Sequence, residues 1–310
     1  MPMQPTGREL LYADWEHPAV TGEGELRSQL DQAEWPASMK KLVAYYEQKT
    51  QAILQRYGPG PRVHFHTGFT SEPPPNATVM QLRSQLVESQ ERMLTYAAGA
   101  WQLQAIAFRD VLEVGCGLGG GAIFWAQEFG AKVTAVTIAP SHIKLVQRFA
   151  TQAGVASQVA PLLCDALAVP GESCFDAAVA IDSSSSFPRR EWFQRLAKLL
   201  RKGGHVFIFD CFLARSEYQD LFNRHWNARI GTVEEYLSAA REAQFTLEMA
   251  QDVSLRTLHF WTTTLALMRL EALDRKEADW LEESRRAHEL MRHGLSNGGL
   301  RHLLMRFVRH

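Results

Sequence analysis

Two hydrophobic periods divide this chain. From Ser38 to Tyr57 apolar residues fall at Met39, Leu42, Val43, Tyr46, Ile53 and Leu54, the spacing of a helix that buries one face. Gly58-Pro59-Gly60-Pro61 ends it, because proline lacks the donor a helix needs. A short extended stretch, Arg62 to Phe69, and a rigid Pro73-Pro74-Pro75 spacer lead to a second helix. Thr78 can cap it, and Leu82, Leu86, Met93, Leu94 and Ala97 stripe one face as far as about Trp101. Beyond residue 109 the pattern changes. Short apolar runs at 110–115, 132–137, 159–164, 175–181 and 204–211 read as strands, and amphipathic stretches at 119–129, 140–153 and 188–201 read as helices between them. Strand–helix alternation predicts a parallel sheet in an α/β fold. Helical stretches at 214–228 and 232–243 follow, then a strand at 245–253 and a long charged amphipathic region at 257–293, broken once. The apolar segment 300–308 reads as the last strand.

These elements suggest three parts. Residues 1–35, with Pro2, Pro5, Pro18, Gly22 and Gly24, read as a flexible arm. Its Asp14-Trp15-Glu16 can dock on the body or on another subunit, or be plain surface coil. Residues 36–105 read as a helical cap and a candidate homo-oligomer interface, and residues 106–310 as the sheet domain, with helical insertions around 214–243 and 257–293. The whole has 310 residues, 46% hydrophobic and 22% charged, which is ordinary globular composition. A formal net charge of −1 offers no broad basic field for nucleic acid. No apolar run reaches the roughly 18 residues of a membrane span, and Met1 to Leu30 contains no signal-peptide core, so a cytoplasmic protein is expected. Cys116, Cys164, Cys174 and Cys211 lack zinc-site spacing and read as reduced thiols in or beside strands.

The chemistry begins at Val111-Leu112-Glu113-Val114, which gives way to Gly115, Gly117, Gly119, Gly120 and Gly121 before a helical run. A buried strand therefore enters a glycine turn and a helix leaves it, so that a ligand can lie close to the main chain at the carboxyl end of the strand. Glu113 decides which ligand. A buried carboxylate behind the loop would repel a pyrophosphate and suits a molecule with an ammonium and a sulfonium. With this E-x-G-x-G pattern the chain resembles the class I S-adenosylmethionine (SAM)-dependent methyltransferases. The resemblance implies a Rossmann-like sheet, mostly parallel with the last strand antiparallel, an N-terminal helical cap, and SAM as cofactor.

It also implies roles at successive strand ends. In most of that family an acid after the second strand binds the ribose hydroxyls; here the position is Thr137. The T-x-x-P sequence resembles the subset acting on small lipophilic molecules, in which the Thr and the backbone at Ile138 approach the ribose and His142 would assist. His142 reads equally as a solvated surface histidine. Asp165 and Ala166 match the pair that recognises adenine, although Asp165 can instead cap a turn. Ile181 ends the fourth strand on the cofactor side, and Asp182 follows it where the transferred methyl would lie. HFHTGF, before a helix carrying Ser84, Gln85 and Gln90, is similar to the pre-sheet segment of cyclopropane-fatty-acid-synthase-like methyltransferases, which places His66, Gly68 and Gln90 at the cofactor. YYEQKT (Tyr45 to Thr50) and VSLRTLHFW (Val253 to Trp261) resemble the prenyl (geranyl) diphosphate C-methyltransferases within that group.

The expected activity is C-methylation of a small lipophilic or isoprenoid acceptor. Methylating an alkene leaves a carbocation that the faces of Phe187, Phe212, Phe222, Trp226 and Trp261 can stabilise. Asp182, where the resembled enzymes carry a glutamate, is the expected base, kept ionised by the sulfonium, with His64 and His225 as alternatives. Tyr45, Arg62, His64 and Arg83 would hold a diphosphate, if the acceptor has one, together with Mg²⁺. No metal site is expected from the protein alone, since His64 and His66 have no third ligand at clear spacing. The competing readings are an O- or N-methyltransferase of a small aromatic metabolite and a non-catalytic SAM-binding module.

Overall fold

The computed structural model describes Trp35, residues 37–272 and residues 279–310. The expected arm, including Asp14-Trp15-Glu16, lies outside the described residues, as does 273–278. Two helices come first, α1 (Ala37–Tyr57) and α2 (Val79–Ala100). The body then runs β1 (Asp110–Val114), α3 (Gly120–Phe129), β2 (Lys132–Thr137), α4 (Pro140–Gln152), β3 (Val159–Leu163), β4 (Phe175–Ile181), α5 (Arg189–Leu199) and β5 (Leu200–Leu213). It closes with α6 (Gln219–Trp226), α7 (Val233–Glu242), β6 (Phe245–Asp252), α8 (Ser254–Ala272), α9 (Asp279–Asn297) and β7 (Leu300–Arg309).

The strands form one seven-stranded sheet in the order β3-β2-β1-β4-β5-β7-β6. β1 to β5 pair in parallel, while β7 inserts antiparallel between β5 and β6. The strand order reverses between β1 and β4, so a crevice opens outside their carboxyl ends. Alternation assigns side chains to two faces. Val111, Val179, Phe207 and Phe209 join the core beneath α2, α3, α4 and α8. Leu112, Ala178, Val206 and Ile208 join a second core against α5 and α7. The described cysteines are free thiols, three of them buried.

Local chemistry sets the helix ends. Thr78 and Gln81 form a reciprocal capping box at the start of α2, and Thr232 with Glu235 repeats it at α7. The two helices before the sheet take different places. Leu82, Leu86, Met93, Leu94 and Ala97 sink α2 into the main core. Apart from Ile53, Thr50 and Tyr57, α1 is only half-buried or exposed, and it lies over the crevice.

Candidate active site

A cavity of about 330 Å³ occupies the crevice. At its floor β1 breaks into the glycine loop. Gly115, Gly117 and Gly119 take left-handed φ values of 75°, 54° and 83°, open to glycine at little cost. Gly115 N and Cys116 N both donate to Val136 O, at 3.0 and 2.9 Å, tying the loop to β2. A side chain at Gly117 would meet nothing within 4 Å, so the loop leaves an open cradle. Glu113 lies beneath, 4% exposed. Its Oε1 stands 2.1 Å from where a Cβ on Gly121 would sit, so only glycine lets the first turn of α3 rest on the carboxylate. Its Oε2 has no partner, and burial pushes its pKa up to about 8. The Trp125 indole is the one side chain that eases this, and a buried carboxyl group with an unpartnered oxygen beside an open backbone cradle fits a ligand that brings an ammonium.

Thr137 and Ile138, at the end of β2, line the same cavity. Thr137 Oγ1 accepts from Ala139 N at 3.2 Å, shaping the turn into α4. His142 is no surface histidine: it is 2% exposed, and burial lowers its pKa to about 4. Its Nε2 pairs with Thr50 Oγ1 of α1 at 2.9 Å. Glu47 Oε1, also on α1, accepts from Ser141 N at 2.9 Å, a carboxylate at the positive end of α4. α1 is thereby latched across the β2 side of the cavity. Ala166 and Ile181 also line it. Asp165 does not: its Oδ1 accepts from Leu167 N at 3.0 Å, the turn-capping arrangement.

The HFHTGF segment crosses above. His66 Nδ1 lies 2.9 Å from Thr67 O; a carbonyl only accepts, so Nδ1 holds the proton and Nε2 presents a bare lone pair. That Nε2 has no partner, and burial, reinforced by His64, lowers the ring's pKa to about 3. His64 donates from Nε2 to Glu91 Oε1 at 2.8 Å, leaving Nδ1 unpartnered. Both rings line the cavity; Gly68 and Gln90 do not. A Cβ on Gly68 would strike Ser89 Oγ at 2.1 Å, so this glycine exists for packing against α2. Gln90 Nε2 donates to His66 O at 2.8 Å and so holds the histidine segment instead of reaching the cavity.

Asp182 ends β4 with φ of 46°, a left-handed conformation that Asp and Asn tolerate better than other side chains. Its Oδ2 accepts from Thr67 N at 2.6 Å. Asp182 is half-buried and lines the cavity. Burial, then the charge of Asp210, pushes its pKa up to about 8. In the protein itself the expected ionised state is thus opposed, and the group is a stronger base once it has lost its proton.

The far wall is aromatic. Phe222 and Trp226 lie 4.8 Å apart, Trp226 and Trp261 5.8 Å, and Trp261 and His288 5.4 Å between ring centroids. Phe187 and Tyr45 also line the cavity, as does His225, whose pKa falls to about 4 through burial and the nearby Lys49 charge. Tyr45 Oη donates to His225 O at 3.1 Å, a second tie from α1 to the body. Phe212 is a correction. It shares the parity of Val206 and Ile208, so it packs on Tyr236 in the opposite core, and Cys211 faces the cavity in its place. Arg62 is another. Its guanidinium engages Gln127, Glu91 and Glu128 at 2.8, 3.1 and 2.5 Å, drawn off by those acids. Arg83 is held by Glu271 at 2.8 Å, and neither arginine lines the cavity.

Sequence reasoning missed Lys49, Arg56, Asp210 and His288, all of which line it. Asp210 was findable: it is the one acid in the apolar run from Val206 to Leu213. Lys49 and Arg56 lie one and three turns along α1 from Tyr45, and only the packing of that helix turns them inward. Among the described residues no group of three or more His, Cys, Asp or Glu could hold a metal ion. Nor is any described helix long and apolar enough to cross a membrane.

Residues 111–204 match a family model described as a methyltransferase domain. Geranyl diphosphate 2-C-methyltransferase of Streptomyces lasalocidi is 28% identical over 157 residues, 49% of this chain and 52% of that protein. O-methyltransferase resE of Aspergillus sclerotiorum is 31% identical over 150 residues, 48% of this chain and 53% of that protein. The chain thus spans about half the length of these curated relatives. A crystal structure of geranyl diphosphate C-methyltransferase from Streptomyces coelicolor A3(2), with Mg²⁺, geranyl diphosphate and S-adenosyl-L-homocysteine, superposes with a TM-score of 0.73. It covers 89% of this chain and 99% of that one at 15% identity. The match to the methyltransferase-domain model is thus confined to residues 111–204, and the chain as a whole shares the fold of that methyltransferase.

Proposed function

We propose that this protein is a SAM-dependent methyltransferase that methylates carbon in a small, alkene-bearing lipophilic acceptor of isoprenoid kind. The observation that carries the reading is one cavity joining a carboxyl group with an unpartnered oxygen and a glycine cradle to an aromatic wall, with Asp182 on its lining. Glu113 and the loop from Gly115 to Gly117 would hold the amino-acid end of SAM, Thr137 and Ile138 its ribose, and Ala166 its adenine. SAM supplies an electrophilic methyl group, so the chain's own work is to orient the acceptor, exclude water and take a proton. Phe187, Trp226 and Trp261 present π faces to the positive charge that carbon methylation leaves on the acceptor. Asp182 then removes the proton from the neighbouring carbon.

The acceptor's polar end is less defined. With Arg62 and Arg83 committed elsewhere and Arg56 paired with Glu271 at 3.0 Å, a diphosphate would fall to Lys49, which donates to Tyr45 Oη at 2.7 Å, and to Tyr45 itself, with any Mg²⁺ carried in by the diphosphate. One feature favours a second reading, transfer to a hydroxyl oxygen. The bare Nε2 of His66 is a fixed acceptor for an O–H, and the resE relative is named an O-methyltransferase.

The test is an acceptor screen with isotopically labelled SAM, with each product's methylated atom assigned by NMR, on wild type and Asp182→Asn. Asparagine tolerates the left-handed backbone, so fold and binding of the demethylated cofactor should persist while turnover falls by ~10²–10⁴. Products methylated only on oxygen or nitrogen would refute carbon transfer, and near-full activity in the variant would remove Asp182 as base.

A further inference from the structure

Asp182, the residue after β4, and Asp210, within β5, follow the paired residues Ile181 and Phe209 of two adjacent parallel strands, and both line the cavity. Their surroundings differ. Asp210 is 2% exposed and collects donors: Ser184 Oγ at 2.6 Å and Ser185 N at 3.0 Å on Oδ2, and Cys211 N at 2.7 Å on Oδ1. Ser184 Oγ also lies 2.9 Å from Tyr236 Oη; since its proton goes to Asp210, the tyrosine donates to it and the chain of donors extends. Asp182 is served by Thr67 alone, through its N at 2.6 Å and its side chain. Donors stabilise a carboxylate over a carboxylic acid, so when two neighbouring buried acids hold one negative charge it settles on the better-supplied member.

We propose that Asp210 is a positioning residue for the reaction: it holds the pair's single negative charge and so keeps Asp182 as the proton-carrying member that exchanges with the cavity. The inference rests on Asp182 being the base. Among the described residues no cation is paired with either carboxyl group, and Arg189 of α5 meets the donor chain only at Tyr236, over whose ring it stands at 5.0 Å. Tyr46 of α1 and Tyr236 of α7 are raised by burial and stay neutral, as does the Cys211 thiol. His302 of β7 and His66 are each lowered to about 3 by burial, so neither supplies a cation. Burial raises both carboxyl groups, and the neighbouring charge raises Asp182 further. In turnover Asp182 first gives its proton to solvent; its carboxylate then forms an O–H bond with the proton leaving the acceptor carbon, and the electron pair of that C–H bond becomes the product's C=C bond. The proton then passes from Asp182 to solvent, and Asp210 keeps its charge throughout.

The experiment is a pH titration of the aspartate carboxyl carbons by ¹³C NMR on the full chain, with S-adenosylhomocysteine bound. Wild type, Asp182→Asn, Asp210→Asn and Ser184→Ala are compared. The Asp182 signal, assigned by its loss in Asp182→Asn, should titrate about one pH unit or more lower in Asp210→Asn, since the like charge is gone. Ser184→Ala should move it the same way by less, and this variant serves if Asp210→Asn does not fold. Where a methylated product is found, the acid limb of kcat/KM should shift down with the NMR midpoint while binding of the demethylated cofactor stays unchanged. An Asp182 midpoint unmoved by either variant overturns the proposal. So does an Asp210 signal that titrates above that of Asp182. The NMR result stands without turnover, so failure to find an acceptor sinks the functional reading alone.

Discussion

Replacing Glu113 with glutamine separates what the carboxyl group does for a ligand from what it costs the fold. Burial moves its pKa from an ordinary 4.5 to about 8. A carboxyl group whose folded value lies above its unfolded one binds more protons when folded, so its contribution is fully favourable below about pH 4.5 and is lost as pH rises toward about 8. By pH 7 about 2.5 units have been crossed, which at about 1.36 kcal/mol per unit is up to roughly 3 kcal/mol. Glutamine has no charge to lose, so the ligand-free variant should be more stable than wild type at about pH 7, with the gap closing toward about pH 5. Binding should move the other way. A hydrogen bond between ionic partners contributes roughly 1.5–3 kcal/mol, so the variant's Kd for S-adenosylhomocysteine should rise about 10- to 150-fold. Wild-type affinity should also climb with pH below about 8, as Glu113 must lose its proton to meet an ammonium, and binding should release that proton. Urea unfolding at about pH 5, 7 and 8.5, with calorimetry in buffers of different ionisation enthalpy, measures each quantity. A variant less stable than wild type at neutral pH, or one that binds equally well, would refute the account of this carboxyl group.

Three other outcomes follow from the geometry. Gly117→Leu should fold, at a cost of about 1–2 kcal/mol for its left-handed backbone, yet lose detectable S-adenosylhomocysteine binding because the side chain fills the open cradle; calorimetry and a melting curve check both halves. Thr50→Val removes the Thr50–His142 tie, worth about 0.5–1.5 kcal/mol, and should speed amide exchange along α1 while leaving the strand amides protected; unchanged protection along α1 would mean that this pair does not hold the helix. For a diphosphate acceptor, Lys49→Met should raise KM and Arg62→Ala should not, since only Lys49 lines the cavity; steady-state kinetics with the opposite ranking would show that the α1 wall is not the anion grip.

Much of this molecule was legible in one dimension. The strand positions, the glycine turn, the buried Glu113 and the acid ending β4 each depend on periodicity or on a residue's place at a strand end, which are local properties. Strand alternation alone could even have assigned Phe212 to the far face, and Asp210 stands out as the one acid in the apolar run from Val206 to Leu213. Other features had no local signature. β7 reaches its place between β5 and β6 only after α8 and α9, and no periodicity encodes which edge a returning strand joins. Arg62 reads as an anion grip until the fold sets it beside Glu91 and Glu128, and a long flexible cation goes to the nearest acid. Lys49 and Arg56 read as the solvated face of a helix until α1 is laid over the crevice. His142 becomes a latch because Thr50, far away in sequence, meets it there. Residue types and spacing determine which groups are available and which strand ends converge. Tertiary packing decides which of them keep a free lone pair or proton, because each partner, once close, cancels the function it touches.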